Sequence, residues 1–96
     1  MDTVKMSPLG YQQITDFSSP VGLTPPTGAQ IAILNAETAD LRWRDDAATT
    51  APSSTIGMLL STTQPPYQYN GNLEQIRFAA VSGSPVLNIS YYKPAG

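Results

Sequence analysis

The sequence predicts a single all-β domain, a small antiparallel β-sandwich of Greek-key or jelly-roll type with an extended N-terminal arm. Three observations carry that expectation. Nine prolines and seven glycines interrupt the 96 residues every few positions, leaving no run long enough for a helix of several turns. Between the breaks lie short β-forming segments, spaced roughly 8–12 residues apart as in sandwiches and barrels. The length admits one domain, since typical domains hold roughly 100–150 residues. The expected bounds are residues 1–8 for the arm, 9–93 for the sandwich and 94–96 for a C-terminal tail.

The first strand is expected over Leu9 to Phe17, where Tyr11, Ile14, Thr15 and Phe17 favour extended backbone and Ser18-Ser19-Pro20 closes it. Thr24-Pro25-Pro26-Thr27-Gly28 must then be loop, because two consecutive residues lack the N–H a ladder needs. Gln30 to Glu37 carries Ile31 and Ile33 on one face and Ala32, Leu34 and Ala36 on the other, as in a central strand covered on both sides. Leu41 to Asp45 alternates strictly, with Leu41 and Trp43 on one face and Arg42 and Arg44 on the other. These two segments read as a hairpin across Glu37-Thr38-Ala39-Asp40, although their Ala, Leu, Glu and Arg content also suits a helix. Asp45 to Thr55 has no large apolar residue and is expected as a surface loop. Short strands follow at Ile56 to Ser61 and Tyr67 to Tyr69, and Asn70-Gly71 has the residues of a tight type I′ turn. Glu74 to Val81 points Ile76, Phe78 and Ala80 inward, and Val86 to Tyr92 does the same with Leu87, Ile89 and Tyr91. The expected core is Ile31, Ile33, Leu34, Trp43, Met58, Leu60, Ile76, Phe78, Leu87 and Ile89.

Composition narrows the function classes. Five basic against seven acidic residues leave a net charge of -2, so no basic field draws phosphates and no nucleic-acid partner is expected. The chain has neither Cys nor His, which removes disulfides, thiolate and imidazole metal sites, and His-based triads. No Ser or Thr has a suitably spaced base, so no catalytic residue, no metal and no cofactor is assigned. The aliphatic runs fall far short of the roughly 20 residues that cross a bilayer, and Met1-Asp2-Thr3 opens no basic-then-apolar leader. A soluble protein made in the cytoplasm, with no membrane partner, is the expectation. A small disulfide-free domain of this kind commonly gains stability by oligomerisation or docking.

Contact candidates come from residue chemistry. Arg42 and Arg44 flank Trp43, and arginine and aromatic residues are enriched where proteins meet. Tyr67 and Tyr69 offer rigid amphipathic rings, Pro52 lies within the long polar loop, and Val4 and Met6 lie in the arm, which either docks on a neighbour or folds back as a strand. Asp40, Asp45 and Asp46 lie near one strand, but adjacent Asp45 and Asp46 point apart on extended backbone and are read as solvated or arginine-paired acids. Asn88-Ile89-Ser90 has the form of a glycosylation acceptor, yet lies within an expected strand and is set aside.

Several stretches carry a resemblance: Leu41-Arg42-Trp43-Arg44-Asp45-Asp46 with its Thr- and Pro-rich loop into Ile56-Gly57-Met58-Leu59-Leu60, Tyr69 to Phe78, Leu87 to Tyr92, and Tyr11-Gln12-Gln13-Ile14. From Gly10 to Tyr92 the chain resembles small virion proteins of tailed bacteriophages. That resemblance implies a non-enzymatic β-sandwich component of the particle, a capsid cement or decoration protein, with a neck or tail accessory protein second. The implied partners are the major capsid protein and further copies of the chain, a trimer among the expected states, and the implied location is the capsid surface after synthesis in the host cytoplasm. Two rivals predict different geometry. A carbohydrate-binding module of the tail requires Trp43 or paired tyrosines as a flat exposed platform, and a carboxylate hydrolase requires Asp40, Asp45 and Asp46 clustered.

Overall fold

The computed structural model describes residues 5–46 and 51–95. Its strands in chain order are β1 (Met6–Ile14), β2 (Val21–Gly22), β3 (Ile31–Glu37), β4 (Leu41–Arg44), β5 (Met58–Leu60), β6 (Tyr67–Tyr69), β7 (Arg77–Ala80) and β8 (Val86–Pro94). They form two four-stranded sheets, ordered β1-β8-β3-β6 and β2-β7-β4-β5, in which every pairing is antiparallel. First strand neighbours last, second neighbours seventh, third neighbours sixth, and fourth neighbours fifth. This nesting is the strand order of an eight-stranded jelly roll, two Greek keys rolled into a sandwich. The all-β sandwich is therefore the fold, and no helix among the described residues is long and apolar enough to cross a membrane.

The core lies between the sheets. On the first sheet, β8 turns Leu87, Ile89 and Tyr91 inward, each paired across β3 with Ala36, Leu34 and Ala32. The two alanines leave room for the larger Leu87 and Tyr91 beside them. The second sheet answers with Leu41, Leu60 and Phe78, and Ile76 joins from just before β7. Tyr91 is 1% exposed, and its hydroxyl donates to Gln12 Oε1 at 2.5 Å. Gln12 also accepts from Thr24 N–H at 3.1 Å, so an amide on the inner side of an edge strand ties the β2–β3 loop to the core.

Several expectations need correction. Of the two dispositions expected for the arm over residues 1–8, the structure takes the fold-back strand from Met6 onward, because Met6, Ser7 and Pro8 pair with Pro94, Lys93 and Tyr92 of β8, which itself runs into the expected tail. Lys5 O accepts from Ala95 N–H at 2.9 Å beyond that ladder. Pro8 is tolerated because β1 is an edge strand and a bulge shifts the register between Pro8 and Gly10. β2 is a strand of two residues, too short for any sequence period to reveal.

The expected hairpin does not form, nor does the expected type I′ turn. β3 and β4 belong to different sheets, and so do β6 and β7, so both connections turn corners between layers. At Asn70-Gly71 neither residue has a positive φ, which a type I′ turn demands of both. Of the expected core, Ile33 and Trp43 are only half-buried, and Met58 is 61% exposed because it stands on the three-residue edge strand β5.

The β3–β4 corner stores strain. Ala39 N–H donates to Glu37 O at 2.8 Å, closing a three-residue turn around Thr38, whose φ is +76°. A β-branched side chain at positive φ is disfavoured by about 1–3 kcal/mol. Thr38 is exposed, so nothing else depends on its side chain. Thr38→Gly is expected to stabilise the domain by about 1 kcal/mol after the glycine's entropy cost, raising Tm by about 4–8 °C in calorimetry. An unchanged or lower Tm contradicts a strained corner.

Candidate functional site

The site is built around β4, whose inward residue Trp43 pairs with Phe78 of β7 on one side and Met58 of β5 on the other. Its indole crosses to the opposite sheet. The Tyr67 ring stacks on it at 5.9 Å between centroids and 27° between planes, and the Tyr69 ring meets it edge-on at 5.6 Å and 65°. Such pairs contribute about 0.5–1.5 kcal/mol beyond their buried area. Trp43 is thus half-buried between tyrosines, and its face is not a flat platform.

Tyr69 extends this cluster into the loops. Its ring is 4% exposed, and its hydroxyl donates to Asp45 Oδ2 at 2.8 Å, with Asn72 O at 3.4 Å. The bond joins the end of β4 to the corner that follows β6. Gly71 is required beneath it, since a Cβ at that position would lie 2.5 Å from the Tyr69 oxygen and 2.7 Å from the ring carbon carrying it. Burial, followed by the bond to the Asp45 carboxylate, pushes the Tyr69 phenol up to about 12. Burial alone pushes Tyr91 up to about 12, against the opposing influence of the Thr24 backbone amide.

The outward arginines brace the loop between β4 and β5. Arg42 donates from Nε to Ser54 O at 3.2 Å and from Nη1 to Gly57 O at 3.0 Å. Ser53 Oγ accepts from Ile56 N–H at 3.1 Å, and Ser53 N–H donates to Ile56 O at 2.9 Å, so residues 53–56 make a compact turn. Gly57 follows at φ +127°, packed so closely on β4 that a Cβ would lie 3.0 Å from Trp43 O. Arg44 pairs with the Asp46 carboxylate, and its Nε reaches Oδ1 at 2.9 Å.

A shallow hollow of about 470 Å³ opens here, lined by Trp43, Arg44, Asp45, Asp46, Gly57 and Met58. Beside it runs an apolar edge. Ile56 (44% exposed), Met58 and Leu59 (47%) lie on and before β5, and Tyr67 (38%) lies on the edge strand of the facing sheet. Among the described residues, four of the five exposed large hydrophobic ones therefore lie toward the β5 and β6 edges of the sandwich. A larger hollow of about 910 Å³ lies between residues 25–31 and 70–74, with Glu74 its one charged lining residue.

The structure sorts the contact candidates. Arg44 and Tyr67 remain partly exposed at this margin, whereas the Arg42 guanidinium is committed to loop carbonyls, Tyr69 is buried in the aromatic cluster, and Pro52 is buried although its loop was expected on the surface. Met6 is half-buried within β1, and Val4 lies outside the described residues. Ile56, Met58 and Leu59 were missed as contact residues: Met58 read as core, and Ile56 and Leu59 read only as part of a short strand. The carboxylates do not converge: Asp40 precedes β4 and accepts from Thr62 N–H at 3.0 Å, while Asp45 and Asp46 follow its far end. Among the described residues no group of three acidic side chains could hold a metal ion.

Comparison with known proteins finds no matching family model, curated protein or solved structure.

Two outcomes follow from the buried phenols and the Gly71 contact. Tyr69 and Tyr91 ionise later in the folded chain than in the unfolded one, so their contribution is complete below pH 10 and is lost as pH rises toward 12. Denaturant melts across that window should show falling stability, with a shallower fall in a Tyr69→Phe, Tyr91→Phe double variant. Gly71→Ala should displace Tyr69 from both Asp45 and Trp43, costing about 1–3 kcal/mol and altering Trp43 emission and the near-ultraviolet circular dichroism. A variant with unchanged spectra and stability contradicts the close contact.

Proposed function

We propose that this protein is a non-enzymatic virion structural protein, a capsid cement or decoration protein that stabilises a phage head by bridging neighbouring subunits. The observation that carries this reading is the set of exposed apolar residues Ile56, Met58, Leu59 and Tyr67 on and beside the edge strands β5 and β6, next to the Trp43 cluster. Clustered apolar side chains on otherwise polar surface mark contact sites, and edge strands with open hydrogen-bonding groups invite a partner. The resemblance of Leu41 to Asp46, Tyr69 to Phe78 and Leu87 to Tyr92 to phage virion proteins supports the same reading. Jelly rolls occur in viral capsid domains but also in lectins and cupins, so the fold agrees with the proposal without selecting it.

In this role the sandwich is a clamp. Each contact is small, and many copies engaging a repeating lattice sum through effective concentration rather than through one tight site. The proposed partners are the major capsid protein and other copies of the chain, on the outer face of the head, with synthesis in the host cytoplasm. No catalytic residue, cofactor, nucleic acid or membrane enters the mechanism. Carbohydrate binding on Trp43 is the weaker reading, since its ring is stacked on Tyr67 and met edge-on by Tyr69 rather than presented flat.

Quantitative mass spectrometry of purified particles tests the proposal. A copy number comparable with that of the major capsid protein, retained on tailless heads, is expected; a few copies lost with the tail would reassign the protein to the neck or tail, and absence from particles would overturn the virion reading. Met58→Asp and Leu59→Asp, at exposed positions, are expected to lower incorporation about tenfold, about 1.4 kcal/mol, with Tm unchanged.

A further inference from the structure

The outer face of the first sheet carries a side-chain network that neither the core nor the apolar margin uses. Asn88 of β8 is its hub. Its Oδ1 accepts from the Tyr11 hydroxyl and from Gln13 Nε2 at 3.0 Å, both on β1. Its Nδ2 donates to Asn35 Oδ1 at 3.3 Å and to Glu37 Oε1, both on β3. One carboxamide can make four hydrogen bonds, and this one makes all four within the protein. The register accounts for the row, because Gln13 pairs with Asn88 and Asn88 with Asn35 across three adjacent strands.

The hub immobilises its neighbours while leaving their outer atoms uncommitted. Gln13 Oε1, the Asn35 amide nitrogen and the second Glu37 oxygen have no partner among the described residues. Tyr11 is 64% exposed, the most exposed large hydrophobic residue among those described, with its hydroxyl anchored and its ring left to solvent. Three strands spaced about 4.8 Å apart make a row about 10 Å long, with an aromatic face at one end and a carboxylate at the other. No Lys or Arg belongs to it.

We infer that this row, Tyr11, Gln13, Asn88, Asn35 and Glu37, is a binding site for a neutral saccharide of two or three units. The chemistry selects the ligand. A sugar presents an apolar C–H face that suits an exposed phenol ring, and vicinal hydroxyls that both donate and accept, matching amide and carboxylate atoms held in a line. The absence of a cation together with the presence of Glu37 turns anionic ligands away. Preorganisation by Asn88 lowers the ordering cost that otherwise defeats shallow sites. The glycosylation-like sequence at Asn88 is thereby accounted for: its amide nitrogen is occupied in the network, within a strand. This inference is independent of the capsid reading, because it uses a different face.

The test is a nitrogen-15 chemical-shift titration of the full chain with cellotriose, maltotriose, triacetylchitotriose and a sulfated disaccharide. Saturable shifts with at least one neutral sugar, confined to residues 11–13, 35–37 and 88–90, are expected. Tyr11→Ala should weaken that binding at least about tenfold and Tyr67→Ala should leave it unchanged. Gln13→Ala, also exposed, gives a second reading should Tyr11→Ala lose its dispersed spectrum. No saturable shift with any neutral sugar, shifts mapping to the Trp43 margin, equal binding of the sulfated sugar, or wild-type affinity in both variants would overturn the inference.

Discussion

The pairing of β1 with β8 closes the domain on itself. Nine residues from near one end of the chain lie along nine from near the other, and each later pairing nests inside that clasp. β8 then stands between β1 and β3, so Leu87, Ile89 and Tyr91 meet neighbours on both sides as well as the facing sheet. Their burial follows from position as much as from hydrophobicity. The nesting also places the β4–β5 loop beside the corner after β6, which is why Asp45 can reach Tyr69 across 24 residues of sequence. A topology of this kind postpones its rewarding contacts until distant segments meet, and belongs with slowly folding architectures.

Within this frame Trp43 joins the sheets where backbone hydrogen bonds cannot. Ladder bonds hold strands within a sheet, whereas the layers cohere through side chains. At the open margin that cohesion depends on the indole between two tyrosines. Arg42 performs a related service on the outer side, fastening a polar loop through two carbonyls with a charge that remains partly solvated. The result is a margin at which Ile56, Met58, Leu59 and Tyr67 remain exposed. The first sheet's outer face differs in kind, carrying a row of polar side chains bonded through Asn88.

Much of this was legible in the sequence, for reasons that can be named. Strict alternation at Leu41 to Arg44 and at Val86 to Tyr92 located β4 and the core face of β8, because a strand with one dry face must repeat every two residues. The Tyr67-Gln68-Tyr69 strand was likewise found between its prolines and Asn70-Gly71. The failures share a cause. Glu37 to Asp40 read as a hairpin connection and Asn70-Gly71 as a tight turn because local chemistry reports that the chain bends, not whether the next strand stays in the sheet. Met58 read as core because its parity matches Leu60, whereas exposure depends on how far β5 extends beyond the cover of its neighbours.

From its sequence alone this protein is committed to short antiparallel strands, a domain without cysteine or histidine chemistry, and the inward faces of its two clearest strands. Proline placement, period-two alternation and composition act locally or on the whole chain, and need no knowledge of neighbours. Tertiary structure alone decided the nesting of the strands, the conversion of an expected arm into an edge strand, the commitment of Arg42 to a loop, and the assembly of Asn88 with Tyr11, Gln13, Asn35 and Glu37. Each of these joins residues far apart in sequence, and which distant groups meet is set by register and packing between elements, information that no single segment carries.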